Sequence, residues 1–290
     1  MPATIRQTSG NGGLPRIEIV SAHATAEVYL HGAQVTRWHP SHAAAPVLWV
    51  SAQSFFQDGR AIRGGVPICF PWFGPHRRNA AVPAHGFARL SDWTLAEAVE
   101  REDGRVSLRF ALAGERMSPE WPFRFQGFLE VLVGSTLTMA LEVENRDDRA
   151  FTYEEALHTY FTIDDVSAIA ISGLEGTRYL DKAGGAAEPT QDNMPIRFSG
   201  ETDRVYTGTT ATCVIDDPGL RRRIVVSKEH SRSTVVWNPW MARARAMADF
   251  GDDEWPGMVC VETANVEDAA IRLAPGERHR MTLTLAVEPY

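Results

Sequence analysis

Short runs rich in β-branched and aromatic side chains, each cut off by glycine, proline or polar turn formers, recur from one end of this chain to the other, and helical periodicity is nearly absent. Such runs occupy residues 16–20, 26–30, 34–38, 46–50, 93–97, 106–112, 125–133 and 136–144 in the first half. The second half repeats the style at 151–161, 168–172, 204–206, 211–215, 223–227, 234–237, 258–262 and 281–287. Leu137, Met139, Leu141 and Val143 alternate, which puts one face of their strand in a core, and Gly134-Ser135 reads as the two-residue turn of a hairpin with the run before it. Only residues 241–250 have the Ala-rich composition of a short helix or turn. Many short strands with so few helices predict an all-β fold, an antiparallel sandwich or barrel. At 290 residues the chain is long for one domain, yet large β-sandwiches reach this size, and strands of one kind lie on both sides of the surface loop expected at 184–187. One domain spanning residues 1–290 follows.

Charge and cysteine use narrow the function. A formal net charge of −8 and a pI near 5.6 argue against nucleic acid as the main partner, because that binding needs basic patches that neutralise many phosphates. Cys69, Cys213 and Cys260 are isolated and odd in number, so reduced thiols are expected. The N-terminus lacks the apolar core of a signal peptide and no apolar run approaches a membrane span, which predicts a cytoplasmic protein with no membrane partner.

The segment Arg63-Gly-Gly-Val-Pro-Ile-Cys-Phe-Pro-Trp-Phe-Gly-Pro75, followed by Ala84-His-Gly-Phe-Ala-Arg89, is too dense in Gly and Pro for a regular helix or central strand. Phe70, Trp72, Phe73 and Phe87 offer flat apolar faces, while Arg63, His85 and Arg89 offer directional donors. That mixture suits a polar ligand with an apolar face, such as a sugar. The bland alternative is an aromatic loop packed on a core with its arginines in water. His158 lies in a strand-like run on the same side as Ala156 and Tyr160, as a packed structural histidine or, facing a cleft, as a proton donor or acceptor. Glu262 ends an apolar run on the side of Met258 and Cys260; it is a solvated rim residue or, if desolvated, a general base. Asp203 reads as a turn cap, an ion-pair partner of Arg204 or a polar contact in a site. Glu154 and Glu155 point to opposite faces and make a poor acid/base pair, although one could support a site from behind. Signatures of nucleotide-binding loops, zinc proteases and α/β-hydrolases are missing, and the nine histidines show no metal-ligand spacing, so no metal is expected.

Six blocks taken in order resemble one family across nearly the whole chain. They are the two loop segments above, Ala156-Leu-His-Thr-Tyr-Phe161, Asp203-Arg-Val-Tyr206, Val236-Trp-Asn-Pro239 and Cys260-Val-Glu-Thr-Ala-Asn265. The family is the aldose 1-epimerase superfamily, and within it the glucose-6-phosphate 1-epimerase (hexose-6-phosphate mutarotase) branch. The resemblance implies a galactose-mutarotase-like β-sandwich with the sugar site on a concave face. It further implies that His158 and Glu262 are catalytic, that Arg63 and Arg89 contact the substrate, that Asp203 touches a sugar hydroxyl and that His85 sits beside the anion-binding positions. Ala84 departs from relatives that carry a polar, substrate-touching residue there. Trp72 joins the binding set as a stacking platform.

Mutarotation opens the hemiacetal, turns the C1 carbonyl and closes the ring on its other face. One group must take the O1 proton and another must protonate the ring oxygen, so Glu262 as base and His158 as acid suffice, with no cofactor. The expected partner is a small-molecule sugar phosphate, and the chain is expected to act as a monomer. The alternatives are a mutarotase for unphosphorylated hexoses and a non-catalytic carbohydrate-binding sandwich. A glycoside hydrolase, which uses two carboxylates, matches less well.

Overall fold

The computed structural model describes residues 2–185 and 188–290. Most of the strand residues lie in two large antiparallel sheets. The eight-stranded sheet runs, in spatial order, Ala170–Ser172, Cys213–Asp217, Arg222–Glu229, Arg278–Pro289, Leu137–Asn145, Arg124–Val133, Val106–Glu115 and Thr94–Glu100. The seven-stranded sheet runs Tyr179–Asp181, Thr202–Thr207, Ser233–Asn238, Met258–Asn265, Glu155–Leu157 and Ile68–Cys69, with Tyr160–Thr162 also paired to Met258–Asn265. A four-stranded meander of Thr4–Ser9, Pro15–Val20, Ala24–Tyr29 and Gln34–Pro40 precedes them.

The two large sheets share one core. Val131, Met139, Leu141, Leu283 and Leu285 from one meet Leu157, Phe161, Val236, Val259 and Val261 from the other. This is the expected antiparallel β-sandwich, and Trp240–Ala246 is the α-helix among the described residues. The strand Met258–Asn265 is buried along its whole length because both of its faces are covered. Its odd-numbered Val259 and Val261 enter the shared core, while Met258 and Cys260 join Tyr160, Trp237 and Phe250 in a smaller cluster on the outer face. Strand alternation therefore sends Glu262 outward, away from the other sheet.

Three local expectations change. Residues 46–50 form no strand and keep only the isolated bridges Leu48 to Phe161 and Val50 to Gly64. Gly64 has a φ of +120°, outside the extended region, so pairing cannot propagate past it. The hairpin at 134 has a three-residue loop, since Val133 pairs with Leu137. A two-residue loop would set Val133 against Thr136 and turn Leu137 out of the core, where both apolar side chains are fully buried. The run 151–161 breaks into Phe151–Tyr153, Glu155–Leu157 and Tyr160–Thr162. At the second break the His158 N–H turns to the Pro67 carbonyl (3.0 Å) and the Thr159 N–H to the Leu157 carbonyl (2.9 Å). The loop expected at 184–187 lies partly outside the described residues.

The Gly/Pro segment crosses the edge of the seven-stranded sheet and folds back on itself. Its halves are tied where the Phe70 N–H donates to the His85 carbonyl (3.2 Å) and the Phe87 N–H to the Phe70 carbonyl (3.0 Å). The approach requires glycine at 86: its φ is +73°, and a Cβ there would stand 1.9 Å from the Phe70 carbonyl oxygen. Gly86→Ala should therefore destabilise the protein by about 2–4 kcal/mol, read as a lower urea midpoint at unchanged slope. A midpoint equal to that of the wild type would show that the loop does not need this contact.

Candidate active site

A cavity of about 340 Å³ opens on the outer face of the seven-stranded sheet, a size suited to a small ligand. The sheet supplies Asp203, Val235, Trp237 and Glu262 from adjacent strands, and His158 from the break between two others. The Gly/Pro segment adds Arg63, Phe73, Gly74, Ala84, His85 and Arg89, and the short helix with its following turn adds Arg243 and Met247. Every predicted site residue except Trp72 lines this one cavity.

His158 and Glu262 meet because of register. Leu157 pairs with Thr263 and Tyr160 with Cys260, so the two residues between fall opposite one another across the ladder. His158 Nδ1 lies 3.3 Å from Glu262 Oε1, though not aligned as a hydrogen bond, and the Nδ1 and Glu262 Oε2 atoms are buried with no hydrogen-bond partner. Glu262 is 1% exposed and His158 6%. The imidazole is stacked on the Tyr160 ring, with centroids 4.7 Å apart and planes 9° apart, so packing holds its orientation. Burial pushes the Glu262 carboxyl well above the usual carboxylate range, and the nearby Asp203 charge adds to the shift. Burial likewise holds His158 well below its ordinary value, reinforced by Arg89 and Arg63. Both shifts favour the uncharged form of each group, a protonated carboxyl beside a neutral imidazole. The charge-separated carboxylate and imidazolium form holds the same number of protons and is one transfer away.

The two arginines differ. Arg63 Nε and Nη2 grip Asp249 (3.2 and 3.0 Å), and Nη1 donates to the Tyr160 hydroxyl (2.9 Å). Burial alone would lower its pKa, but Tyr160 and Asp249 more than offset that and raise it. Arg89 is buried, gives one hydrogen bond to the Ala84 carbonyl (2.9 Å) and leaves its Nε unpartnered; burial lowers its pKa. Position 84 thus contributes its backbone, holding Arg89. Lys182 also lines the cavity, shared with Glu267 at 3.0 Å. Because Asp249 neutralises Arg63, the positive charge left at the cavity comes from Arg89, Lys182 and Arg243, set against Asp203.

His85 Nδ1 accepts hydrogen bonds from the Gly74 N–H and the Cys69 thiol, both at 3.3 Å. A backbone N–H can only donate, so the ring proton sits on Nε2. Burial keeps His85 well below its ordinary value, with Arg89 the next cause. Trp72 is the correction to the predicted set. Its Nε1 donates to the Pro83 carbonyl (3.1 Å), and the ring packs edge-on against Phe87 and His76 beneath the loop, away from the cavity. Its neighbour Phe73 lines the cavity instead. Trp237, Lys182, Arg243 and Asp249 were missed, and only Trp237, inside the Val236-Trp-Asn-Pro239 block, left a signal in the sequence. Glu154 and Glu155 do point apart. Glu154 accepts the Phe73 and Glu267 N–H groups (both 2.9 Å) and braces the loop from behind, whereas Glu155 meets His279 at 3.1 Å.

Comparison with known proteins gives the family and the fold. Residues 15–286 match the family model described as aldose 1-epimerase. A relative from Escherichia coli (strain K12), provisionally named glucose-6-phosphate 1-epimerase, is 40% identical over 82% of this chain and 79% of its own. One of the same provisional name from Cenchrus ciliaris is 35% identical over 96% and 86%. The crystal structure of the provisionally assigned mutarotase YeaD from Salmonella typhimurium superposes with a TM-score of 0.90 at 35% identity, covering 100% of this chain and 94% of that one. A galactose mutarotase-like protein from Clostridium acetobutylicum, at 14% identity, shares the fold with a TM-score of 0.77, covering 100% and 99%.

The raised Glu262 value has a signed consequence. Above about pH 4.3 an unfolded chain releases this proton while the native state keeps it, so this carboxyl makes the wild type less stable as pH rises toward its folded value. Gln at 262 cannot carry that penalty. The melting temperature of Glu262→Gln minus that of the wild type should climb as pH rises above about 4; a flat or falling difference would show the carboxyl ionised in the fold.

Proposed function

Since the chain belongs to the aldose 1-epimerase family, we propose that His158 and Glu262 are its acid and base and that Arg63, His85, Arg89 and Asp203 hold the sugar. The enzyme is an isomerase that interconverts the α and β anomers of hexose 6-phosphates. The observation that carries the assignment of roles is the 3.3 Å approach of an imidazole and a carboxyl, both buried, at the wall of a cavity that also holds two arginines.

Ring opening starts from the charge-separated pair. The Glu262 carboxylate takes the proton from O1, the bond from C1 to the ring oxygen breaks, and the ring oxygen takes the proton from the His158 imidazolium. Glu262 is then neutral and so is His158, which is the form that burial favours, so the protein environment stabilises the pair as it stands beside the open-chain aldehyde. After rotation about C1–C2 the two proton transfers run backward onto the other face of the carbonyl. Net proton count is unchanged. Asp203, at the cavity wall, is placed to accept from a sugar hydroxyl, and Trp237 and Phe73 offer apolar faces. Phosphate is the group that Arg89 and Arg63 suit, since guanidinium groups stay charged and bind it through paired donors.

The reading takes the chain as one domain working as a cytoplasmic monomer on a small sugar phosphate. It is supported by three free, buried cysteines and by the acidic balance that disfavours nucleic acid. No helix among the described residues is long and apolar enough to cross a membrane.

Polarimetry on freshly dissolved α-glucose 6-phosphate tests the roles: Glu262→Gln and His158→Asn should each slow equilibration about 100- to 10,000-fold. An unchanged rate in either folded variant removes that residue from the chemistry, and ligand binding without faster equilibration in the wild type would select the carbohydrate-binding reading. Replacing Arg89 by Met should raise KM for glucose 6-phosphate with little change on glucose, whereas Arg63→Met, which also frees Tyr160 beneath His158, should slow both sugars. Equal wild-type efficiency on both sugars would instead favour the mutarotase for unphosphorylated hexoses.

A further inference from the structure

Away from the sugar cavity, His31, Asp58 and Asp92 converge from three separate segments. His31 lies in the turn between the strands Ala24–Tyr29 and Gln34–Pro40, Asp58 in the loop that leads to Arg63, and Asp92 just after the turn that carries Arg89. One ligand-type atom from each lies within 4.8 Å of the others. No spacing in the sequence announces this group, because the three positions are far apart in the chain.

The His31 ring decides what the cluster is for. It is 0% exposed, and its Nε2 lies 2.8 Å from the Arg60 carbonyl oxygen. A carbonyl can only accept, so Nε2 carries a proton, and the other ring nitrogen, Nδ1, faces Asp92 Oδ1 at 3.3 Å. A lone pair facing a carboxylate oxygen is repulsive unless a proton or a cation lies between them. One extra proton would satisfy Asp92 alone. Asp58 brings a second carboxylate to the same point, and a cation is the partner that answers all three groups at once. An imidazole that donates one nitrogen to a backbone carbonyl and offers the other to a metal is the usual arrangement of a metal-bound histidine, since the carbonyl sets both tautomer and ring direction.

The backbone under the site is held. His31 and Asp92 form a bridge, with the Gly32 N–H donating to the Ser91 carbonyl (2.7 Å) and the Trp93 N–H to the Leu30 carbonyl (2.9 Å). Both carboxylates are exposed, which gives an ion an entry path and leaves room for water as a further ligand. One imidazole nitrogen with two carboxylate oxygens suits a borderline first-row ion better than a hard one that prefers all-oxygen coordination.

We propose that His31, Asp58 and Asp92 bind one structural Zn²⁺, which cross-links the turn at His31 to the two segments that run into Arg63 and Arg89. The full chain, stripped with chelator and dialysed, is titrated with ZnCl₂ by calorimetry and melted with and without the metal, with MgCl₂ as the contrasting ion. The expected result is a single saturable Zn²⁺ site that raises the melting temperature, with Mg²⁺ binding far more weakly. Asp58→Ala and Asp92→Ala change exposed side chains, and each should weaken Zn²⁺ roughly tenfold or more and remove most of the melting shift. Absence of saturable Zn²⁺ binding by the wild type would overturn the proposal. Equal affinity in the wild type and both variants would also overturn it, because the ion would then sit elsewhere.

Discussion

The alternation of the strand Met258–Asn265 governs the site. With Val259 and Val261 locked into the core shared by the two large sheets, Cys260 and Glu262 have nowhere to point but the outer face. There Tyr160, Trp237 and Phe250 exclude water, and the carboxyl is left with a single near neighbour that can exchange a proton with it, His158. The perturbed titration of both groups follows from this packing. It costs the fold an ionisable pair with unpartnered atoms, and such a cost is retained where substrate groups supply the missing hydrogen bonds.

Arg63 and His158 are mechanically joined through one aromatic ring. Tyr160 accepts a hydrogen bond from Arg63 on its hydroxyl and stacks its face on the His158 imidazole, so the guanidinium, the phenol and the imidazole form one packed column anchored by Asp249. Arg63 therefore holds this column, and Arg89, buried without a carboxylate partner among the described residues, carries more of the unneutralised charge. The Gly/Pro segment keeps both arginines on one rigid path. Its two halves touch through backbone at Gly86, which leaves little freedom for the distance between anion grip and proton pair to vary.

Much of this architecture was legible because it depends on periods that survive in one dimension. Strand alternation placed His158 with Tyr160 and Glu262 with Cys260 on one side, and the structure keeps those parities. Glu154 and Glu155 were separable for the same reason. Trp72 was not, since a segment dense in Gly and Pro has no fixed period, and nothing in its order says that Phe73 turns to the cavity while Trp72 turns beneath the loop. The break at His158 and Thr159 was also invisible, because it is made by the Pro67 carbonyl taking the His158 N–H from another part of the chain.

By itself the amino-acid sequence determined the all-β class, the faces of the individual strands and the residue types available for acid/base and anion chemistry. Those are local properties, set by side-chain shape, backbone freedom and a two-residue repeat. Tertiary structure alone decided which of those residues meet. Register set His158 across from Glu262, a turn after the short helix brought Asp249 to Arg63, and three unrelated loops gathered His31, Asp58 and Asp92. The physical reason is that such contacts depend on strand pairing and loop closure over long stretches of chain, and on burial that exists only after the two sheets have packed.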